Sequence, residues 1–363
     1  MKLSKKLLSL GLAVLMTAGT YVNSYPAKKQ DMTIEFINVG AGDAIYIETP
    51  SGDDILIDAG TAGNGKKVVN YLKSQEKSMD LEYVISTHPD ADHVGGLKYV
   101  FQNMKVKKFY YPKDTSYSTK TAKEVLSLAK KESGCKIYDA KSGTKLSSGG
   151  AKFEFVHSIK NYSSDNEDSV MTYIDYGNLE VLLTGDAEKG AESAAKKYNV
   201  DILQMPHHGS AGSSSSSFIK RFDPEKIIIS TDGKKYGHPS ANALKRYISY
   251  DKNIDVYRTD RNGNIKINAN GKKWWVKTNK YSSQKVTATK PGSGSTSSGS
   301  SSNGSSSNGS SSGSATKYVY ANGGSSSSNK YHKSATAHGM KDAIKMSEST
   351  AKKNGYIACK TCY

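Results

Sequence analysis

Between residues 32 and 281, short runs rich in β-branched residues alternate with longer amphipathic stretches. The runs are bounded by turn residues, as is typical of strands, whereas the amphipathic stretches have helical periodicity. We predict strands at 33–39, 44–48, 55–58, 81–87, 151–156, 169–176, 179–184, 201–205, 226–230, 254–258, 264–268 and 273–277. Helices are predicted at 64–75, from about 94, and at 120–131, 187–198, 214–222 and 240–249. Because helices separate strands in both halves, the pattern predicts an α/β fold of two sheets with helices outside.

The first 24 residues have a different composition. Three lysines precede an apolar run at 7–16, and small residues follow it. This order is typical of a secretory signal peptide, and the run is too short for an ordinary membrane-spanning helix. We therefore expect a secreted or extracellular protein, with association at the cell surface as an option and no membrane span after signal cleavage.

Composition also divides the remainder of the chain. Residues 25–281 form the predicted main domain. Residues 282–314 are almost entirely Ser, Gly, Asn and Thr, which predicts a disordered linker because such a segment cannot bury a core. Aromatic and apolar residues return at 315–363, which predicts a small second module.

The chain is strongly basic. It contains 51 Lys and Arg against 34 Asp and Glu, a formal net charge of +17. Such a charge favours anionic partners, either nucleic acid or wall polymers, although a need for solubility explains it equally well. Three cysteines are too few for a disulfide-stapled scaffold, so the core must form by hydrophobic burial.

The densest group of metal-binding side chains follows the predicted strand 81–87. His88, Asp90, Asp92 and His93 lie within six residues. A tight loop at a strand end can turn all four side chains toward one point, and burying them there without a cation would be costly. Imidazole and carboxylate together suit zinc, manganese or iron. The sequence therefore predicts a metal centre at this loop.

Later segments place more ligand types at strand ends. Asp186 follows one predicted strand, His207 and His208 follow the next, and His238 lies in a loop before a helix. Asp58 ends an early strand. We expect it to support residues 87–93, which we call the metal loop, through hydrogen bonds. Each of these later segments alone is weak evidence for a metal site, but together they indicate one composite site.

These residues resemble the metallo-β-lactamase superfamily and, within it, the extracellular hydrolase domain of ComEC-type competence proteins. The resemblance covers roughly 32–277. The residues that carry it are 36–44, 56–60, 88–96, 165–166, 169–170, 182–186, 206–210 and 237–239. It implies a four-layer αββα sandwich with a metal site at one edge.

The resemblance also implies ligands for two divalent ions, zinc or manganese. By position, His88 and Asp90 hold one ion, Asp92, His93 and His207 hold the other, and Asp186 bridges them. His208 is the alternative to His207, which we favour.

Two departures from the superfamily pattern weaken the first metal position. Asp90 stands where many members have histidine, and no histidine occupies the usual third motif, whose equivalent contains Asn166 and Ser169. His157 lies nearby, and we interpret it as structural.

The implied chemistry is hydrolysis by a metal-bound hydroxide. Asp92 is predicted to orient the nucleophile, and His238 to contact a phosphate oxygen or protonate the leaving group. Ser210 is predicted to offer the substrate a hydroxyl or an amide donor. The leading hypothesis is a phosphodiesterase or nuclease acting on DNA or RNA. The alternatives are a hydrolase of a lactam, lactone or thioester, and a nucleic-acid-binding protein with a vestigial metal site.

The terminal module contains a second potential metal site. His332, His338, Cys359 and Cys362 are sufficient to bind a structural zinc tetrahedrally. The segment resembles, distantly, the Ada-type metal-binding module. A disulfide between the two cysteines is the alternative, and lysines of the module are candidates for contact with DNA or the cell wall.

Overall fold

The region predicted as the main domain is described almost completely. The structure, a computed structural model, describes residues 31–75, 79–113, 117–158, 162, 164–280, 284–285, 318–321, 330–334, 344–348, 351 and 356–359. The predicted signal peptide lies outside the described residues, and so does the predicted linker apart from Gln284 and Lys285.

Short strands dominate the described chain. They are β1 (Met32–Phe36), β2 (Ile45–Glu48), β3 (Asp54–Ile57), β4 (Asp80–Leu81), β5 (Tyr83–Ile85), β6 (Lys105–Val106), β7 (Lys108–Tyr111), β8 (Lys136–Asp139), β9 (Lys145–Ser148), β10 (Ala151–His157), β11 (Met171–Tyr176), β12 (Leu179–Leu183), β13 (Ile202–Gln204), β14 (Lys226–Ile229), β15 (Asp255–Arg258), β16 (Ile265–Ala269), β17 (Trp274–Thr278), β18 (Gln284–Lys285), β19 (Tyr318–Ala321), β20 (Lys330–His332), β21 (Ile344–Ser347) and β22 (Ile357–Ala358). The α-helices are α1 (Gly65–Gln75), α2 (Ala91–Val94), α3 (Leu97–Asn103), α4 (Lys120–Lys131), α5 (Lys189–Ala194), α6 (Ser216–Phe222), α7 (Ala241–Tyr250) and α8 (Thr259–Asn262).

Two large mixed sheets organise these strands. The first has the order β17-β16-β1-β2-β3-β5-β7-β8, and the second has the order β18-β15-β14-β13-β12-β11-β10-β9. Strands β3, β5, β7 and β8 run parallel to one another, and so do β12 to β15. Parallel strands end at a common edge of a sheet, which is where α/β proteins usually place their ligand sites.

The two sheets pack face to face through side chains that alternate along each strand. Ile45 and Ile47 of β2 share an apolar core with Phe153 and Val181 of the other sheet. Tyr46, between the two isoleucines, belongs to a different cluster on the opposite face. Because both faces are covered, central strands such as β3 and β14 are apolar nearly throughout rather than alternately polar.

Helices cover the outer face of each sheet. Val68 and Leu72 of α1 and Val125 of α4 pack with Tyr46 on the first sheet. On the second sheet, the outer cluster contains residues from β12, α6 and α7, namely Leu182, Phe218, Phe222 and Tyr247. The layers therefore run helix, sheet, sheet, helix, and the predicted αββα fold class is confirmed.

Most predicted elements occur within a few residues of their predicted positions. Helix α4 spans Lys120–Lys131, as predicted, and begins where the Thr119 hydroxyl accepts a hydrogen bond from the Ala122 amide. The predicted strand 81–87 is divided into β4 and β5. Strands β6 to β9 were missed because they are short and each contains lysine, so their apolar periodicity is weak.

The described part of the terminal segment forms its own four-stranded sheet. Its order is β21-β19-β20-β22. The buried apolar residues described there are Val319, Ala321, Tyr331 and Ala351. Within the described residues, none of the helices is long and apolar enough to cross a membrane.

Candidate metal centre

Asp58 shapes the predicted metal loop. It follows β3 with a left-handed φ of 55°. One carboxylate oxygen accepts a hydrogen bond from the Thr87 amide at 2.9 Å, and the other accepts one from the Thr87 hydroxyl at 2.6 Å. The second oxygen also lies 2.9 Å from His93 Nδ1. These contacts fix the ring of His93 so that its Nε2 atom faces Asp186 and His208, which is the supporting role predicted for Asp58.

Asp186 lies between two groups of imidazoles. Its Oδ1 atom is 3.2 Å from His93 Nε2 and 3.3 Å from His208 Nε2. Its Oδ2 atom is 3.5 Å from His207 Nε2 and 3.9 Å from His88 Nε2. Each carboxylate oxygen therefore faces a separate pair of ring nitrogens, which is the arrangement that a bridging ligand requires.

His207 and His208 reach opposite oxygens because of an unusual backbone. Both have left-handed φ angles, 50° and 53°. His207 Nδ1 lies 2.9 Å from a Glu188 carboxylate oxygen, and His208 Nδ1 lies 3.0 Å from the Ser230 carbonyl oxygen. These partners orient both rings so that the Nε2 atoms point toward Asp186. Left-handed non-glycine residues are strained and concentrate at functional sites.

The two remaining predicted ligands lie at the edge of this group. Asp90 Oδ2 is 3.8 Å from His88 Nε2, and the Asp90 side chain is 43% exposed. Asp92 forms a possible ligand group with His93 and His208, whose ligand atoms lie within 4.8 Å of one another. All of the predicted main-domain ligands therefore lie around Asp186, and His208 joins them.

The pKa shifts of two predicted ligands, His88 and Asp186, suit coordination. Burial, together with the charge of His93, lowers the pKa of His88 to about 3. Burial alone would raise the pKa of Asp186, but the His208 and His93 imidazoles hold it well below its usual value. A neutral imidazole and an ionised carboxylate are the forms that bind metal ions.

Several ligand atoms lack the partner that burial demands. Among the described residues, His88 Nε2, Asp43 Oδ1 and Asp186 Oδ1 are buried without a hydrogen bond. Buried polar atoms of this kind are rare unless water or an ion satisfies them. The nitrogen and oxygen donors therefore fit divalent cations, and the donor types suit zinc, manganese or iron.

Sequence reasoning assigned no role to Asp43, although the residue lies inside the segment 36–44 that carries the resemblance. The Asp43 carboxylate is buried, accepts a hydrogen bond from Gln204 Nε2 at 2.8 Å, and groups with Asp186 and His208. Burial raises its pKa. The feature of the sequence that could have identified Asp43 as a site residue was its position after Gly42 and before a predicted strand.

Ser169, from the segment that the resemblance equates with the third motif, lies against Asp186 and His88. Its hydroxyl accepts a hydrogen bond from the Asp186 amide at 3.1 Å and lies 3.4 Å from His88 Nδ1. His157 Nδ1 lies 2.9 Å from the Ser169 carbonyl oxygen. His157 is buried, in keeping with the structural role predicted for it.

The predicted substrate-contacting residues lie at the rim. The ring of His238 is half-buried, and its centroid is 5.4 Å from that of His207. The Ser210 amide donates to the His207 carbonyl oxygen at 2.8 Å, and the Ser210 hydroxyl accepts from the Gly212 amide at 3.2 Å. Of the two donors predicted for Ser210, the amide is therefore used within the turn.

The second predicted site is described only in part. His332 and Cys359 are both buried, and the Cys359 amide donates to the carbonyl oxygen of Tyr331 at 3.0 Å. These two residues therefore lie on adjacent parts of the small sheet. His338 and Cys362 lie outside the described residues.

Comparisons with known proteins point to one superfamily. The family profile described as "Metallo-beta-lactamase superfamily" matches residues 37–233. ComE operon protein 3 of Bacillus subtilis (strain 168) is 28% identical over 263 residues, which cover 66% of this chain and 33% of that protein. Competence protein ComA of Neisseria gonorrhoeae is 24% identical over 267 residues, which cover 70% of this chain and 35% of that protein.

A solved structure covers a similar share of the chain. The metallo-β-lactamase fold protein YhfI from Bacillus subtilis aligns with a TM-score of 0.44 and 14% identity, covering 63% of this chain and 96% of that one. The chain spans about a third of the length of the curated relatives. These relatives are competence proteins, as the sequence resemblance predicted.

The profile match covers more than half of the chain, from before the loop that begins the site to beyond the His207–His208 turn. Its span includes Asp58, the metal loop and Asp186, which the fold brings to one edge. The chain belongs to the metallo-β-lactamase superfamily.

Proposed function

We propose that this protein is a secreted, metal-dependent hydrolase of phosphodiesters that acts on DNA or RNA. The observation that carries the proposal is the position of Asp186, whose two oxygens each face a separate pair of imidazole nitrogens. Two cations held about 3.5–4 Å apart are typical of enzymes that displace an alcohol from phosphorus.

The distances support a revised assignment of the ligands. His207 Nε2 lies on the same side of Asp186 as His88, whereas His208 Nε2 lies on the side of His93, at 3.2 Å from its Nε2 atom. We assign His88, Asp90 and His207 to the first metal position and Asp92, His93 and His208 to the second. His207 then compensates for the histidine that is absent from the third motif.

Bound divalent ions would supply Lewis acidity, which lowers the pKa of water to about 7 in favourable sites. Asp92 would orient the attacking water through its carboxylate. Burial and the neighbouring His207 and His208 lower the pKa of His238. Its ring is therefore neutral at neutral pH and has one N–H to donate to a phosphoryl oxygen or to the departing oxygen.

Two observations support nucleic acid as the substrate class. The relatives described above are competence proteins. A further relative is Recombination protein 2 of Haemophilus influenzae, which is 28% identical over 253 residues. The alignment covers 66% of this chain and 29% of that protein. Both names refer to processes that handle DNA. The formal charge of +17, which becomes 17 − 3 = +14 once the three lysines of the predicted signal peptide are removed, favours a polyanion.

We also propose a role for the segments on either side of the main domain. The first 24 residues would direct export and then be removed. His332, His338, Cys359 and Cys362 would bind a structural zinc, which would allow the terminal module to fold and to contact DNA or the cell wall.

The test compares substrates with one preparation of mature protein loaded with zinc or manganese. Single-stranded DNA, duplex DNA, RNA, a β-lactam, a lactone and a thioester are assayed in parallel. We expect phosphodiester cleavage that EDTA abolishes, and we expect Asp92→Asn to lower it by about 100-fold or more. Asp175→Asn is the matched control. Asp175 pairs with Lys152 and lies near the end of β11 that is farther from Ser169 and the candidate metal centre.

Three results would contradict the proposal. The first is faster turnover of the lactam, lactone or thioester than of any nucleic acid. The second is the absence of all turnover in protein that binds two metal equivalents. The third is a protein that binds nucleic acid but cleaves none, and whose binding Asp92→Asn leaves unchanged. That result would support a vestigial metal site.

A further inference from the structure

Tyr236 is far more exposed than the other large apolar side chains of the described surface. Its exposed fraction is 72%, against 40% for Met79 and 37% for Tyr138. An aromatic ring held out of the core loses the free energy that burial would provide. Single exposed apolar side chains are common on protein surfaces, so the inference depends on where this ring lies and not on its exposure alone.

The loop that carries Tyr236 is held in place by its own hydrogen bonds. Asp232 Oδ1 accepts from the amides of Lys234 and Lys235 at 2.9 and 2.8 Å. The Thr231 hydroxyl donates to the His238 carbonyl oxygen at 3.1 Å. Tyr236 itself has a left-handed φ of 58°, a conformation that non-glycine residues adopt only when their surroundings impose it. The ring is therefore presented on a defined turn.

This turn lies directly beside the metal centre. The Tyr236 ring centroid is 6.0 Å from that of His238, which is in turn 5.4 Å from that of His207. Lys235 Nζ lies 4.6 Å from the Tyr236 ring centroid and 3.9 Å from Asp92 Oδ2. The exposed ring, a cation and two of the predicted site residues, Asp92 and His238, therefore adjoin one another at this rim.

We propose that Tyr236 stacks on an unpaired nucleobase next to the phosphate undergoing cleavage, and that Lys234 and Lys235 contact the flanking backbone. This inference rests on the proposed function and names the form of its substrate: a single strand. Bases within a duplex already stack on their neighbours, whereas a single strand offers free faces to an aromatic side chain. Stacking tolerates every base, so little sequence preference is expected.

The experiment compares two oligonucleotides that differ only in their bases. Fluorescence anisotropy measures the binding of oligothymidylate and of an abasic strand of equal length, both with cleavage-resistant phosphorothioate linkages, to the metal-loaded full-length mature protein. Tyr236→Ala should weaken oligothymidylate binding by about 5-fold or more and abasic binding by much less. Tyr236→Phe and Tyr236→Trp should retain the preference for the strand with bases, because both rings can stack.

The matched controls separate stacking from charge and from folding. Tyr138→Ala removes another exposed tyrosine, on β8, and should change neither affinity. Lys234→Ala should weaken the binding of both oligonucleotides alike. It should also lower the slope of log affinity against log salt concentration by about 1. Because Tyr236 is exposed, its variants should unfold at the temperature of the unmodified protein.

The proposal is overturned if Tyr236→Ala binds oligothymidylate normally, or if it loses affinity for both oligonucleotides equally. It is also overturned if Tyr236→Phe loses as much affinity for oligothymidylate as Tyr236→Ala does. Its failure is distinguishable from that of the proposed function. Metal-dependent cleavage of DNA without any dependence on Tyr236 would reject this inference alone. A base-dependent loss of binding in a protein that cleaves no phosphodiester would reject the hydrolase alone.

Discussion

At the scale of single residues, Asp58 has the widest influence on the site. Its two oxygens contact the Thr87 amide, the Thr87 hydroxyl and His93 Nδ1, and all three partners belong to the metal loop. The carboxylate therefore sets both the path of the loop and the direction of the His93 ring. It touches no predicted ligand nitrogen that faces Asp186, so its effect on a cation would be indirect.

Asp58→Asn should lower metal affinity while leaving the fold intact. The amide keeps one oxygen acceptor but gives up the charge that strengthens the contact with His93, and loss of such partners typically costs 10–100-fold in affinity. Isothermal titration with zinc or manganese measures the change, with Asp175→Asn as the control. An unchanged dissociation constant would contradict the role assigned to Asp58.

The assignment of His207 and His208 to different ions can be tested with double variants. The unmodified main-domain site should bind about two metal equivalents. If His207 shares its ion with His88, the variant His88→Ala with His207→Ala should retain one equivalent. The variant His88→Ala with His208→Ala should retain none, because each substitution removes a ligand from a different ion. Metal content after dialysis is the measurement, with Cys359→Ser in the background to exclude the terminal module. The reverse pattern would restore the assignment made from the sequence.

At the scale of elements, close contacts between backbone segments position the site. Gly42, in the turn before β2, has a φ of 112°, and a Cβ atom there would collide with the backbone carbonyl of Asp92. The turn and the metal loop therefore pack against each other through bare backbone. Gly96 similarly has no room for a Cβ atom because of the Ala59 carbonyl group, which lies beside Asp58.

Gly42→Ala should be strongly destabilising and should weaken metal binding. The substitution adds a collision with backbone to the cost of a left-handed alanine, which is roughly 1–2 kcal/mol. Gly52→Ala is the control, since Gly52 has a φ of 82° but no atom within 4 Å of its Cβ position. We expect Gly42→Ala to lower the free energy of unfolding by about 2 kcal/mol more than Gly52→Ala does, measured by urea denaturation. Equal losses in the two variants would show that the contact with Asp92 is unimportant.

At the scale of the whole molecule, the main domain and the terminal sheet differ in the size of their apolar cores. The sandwich contains three large clusters, one between the sheets and one outside each sheet. The described part of the terminal sheet buries only Val319, Ala321, Tyr331 and Ala351 in its cluster. A small core of this kind usually needs a metal ion or a disulfide to remain folded.

Chelation should therefore act differently on the two parts. Removal of metal by EDTA should make residues 315–363 sensitive to protease while a fragment containing the sandwich persists, because burial alone can maintain its core. Limited proteolysis followed by mass spectrometry identifies the cleavage sites. Cys359→Ser should reproduce the effect without EDTA. Protection that disappears with a reducing agent but not with EDTA would favour the disulfide between Cys359 and Cys362.

The accuracy of the sequence predictions followed the strength of the local signal. Helix α4 has clear periodicity and a threonine cap, and its predicted and observed limits agree. Strands β6 to β9 are short, each begins with a lysine, and they were missed because their pairing with neighbours in the sheets outweighs a weak intrinsic pattern. The metal loop was found because its ligands are close in sequence, whereas Asp43 was not assigned because its partners Gln204 and His208 are remote.

The sequence by itself determined the layered α/β fold, the metal loop and the identity of most candidate ligands, since apolar periodicity and the spacing of acids and imidazoles are local properties. Tertiary structure alone decided which oxygen of Asp186 each histidine faces, because that choice depends on the left-handed backbone at His207 and His208. It also decided that Tyr236 lies beside His238. Contacts between strand ends arise from sheet packing, and no pattern along the chain specifies them.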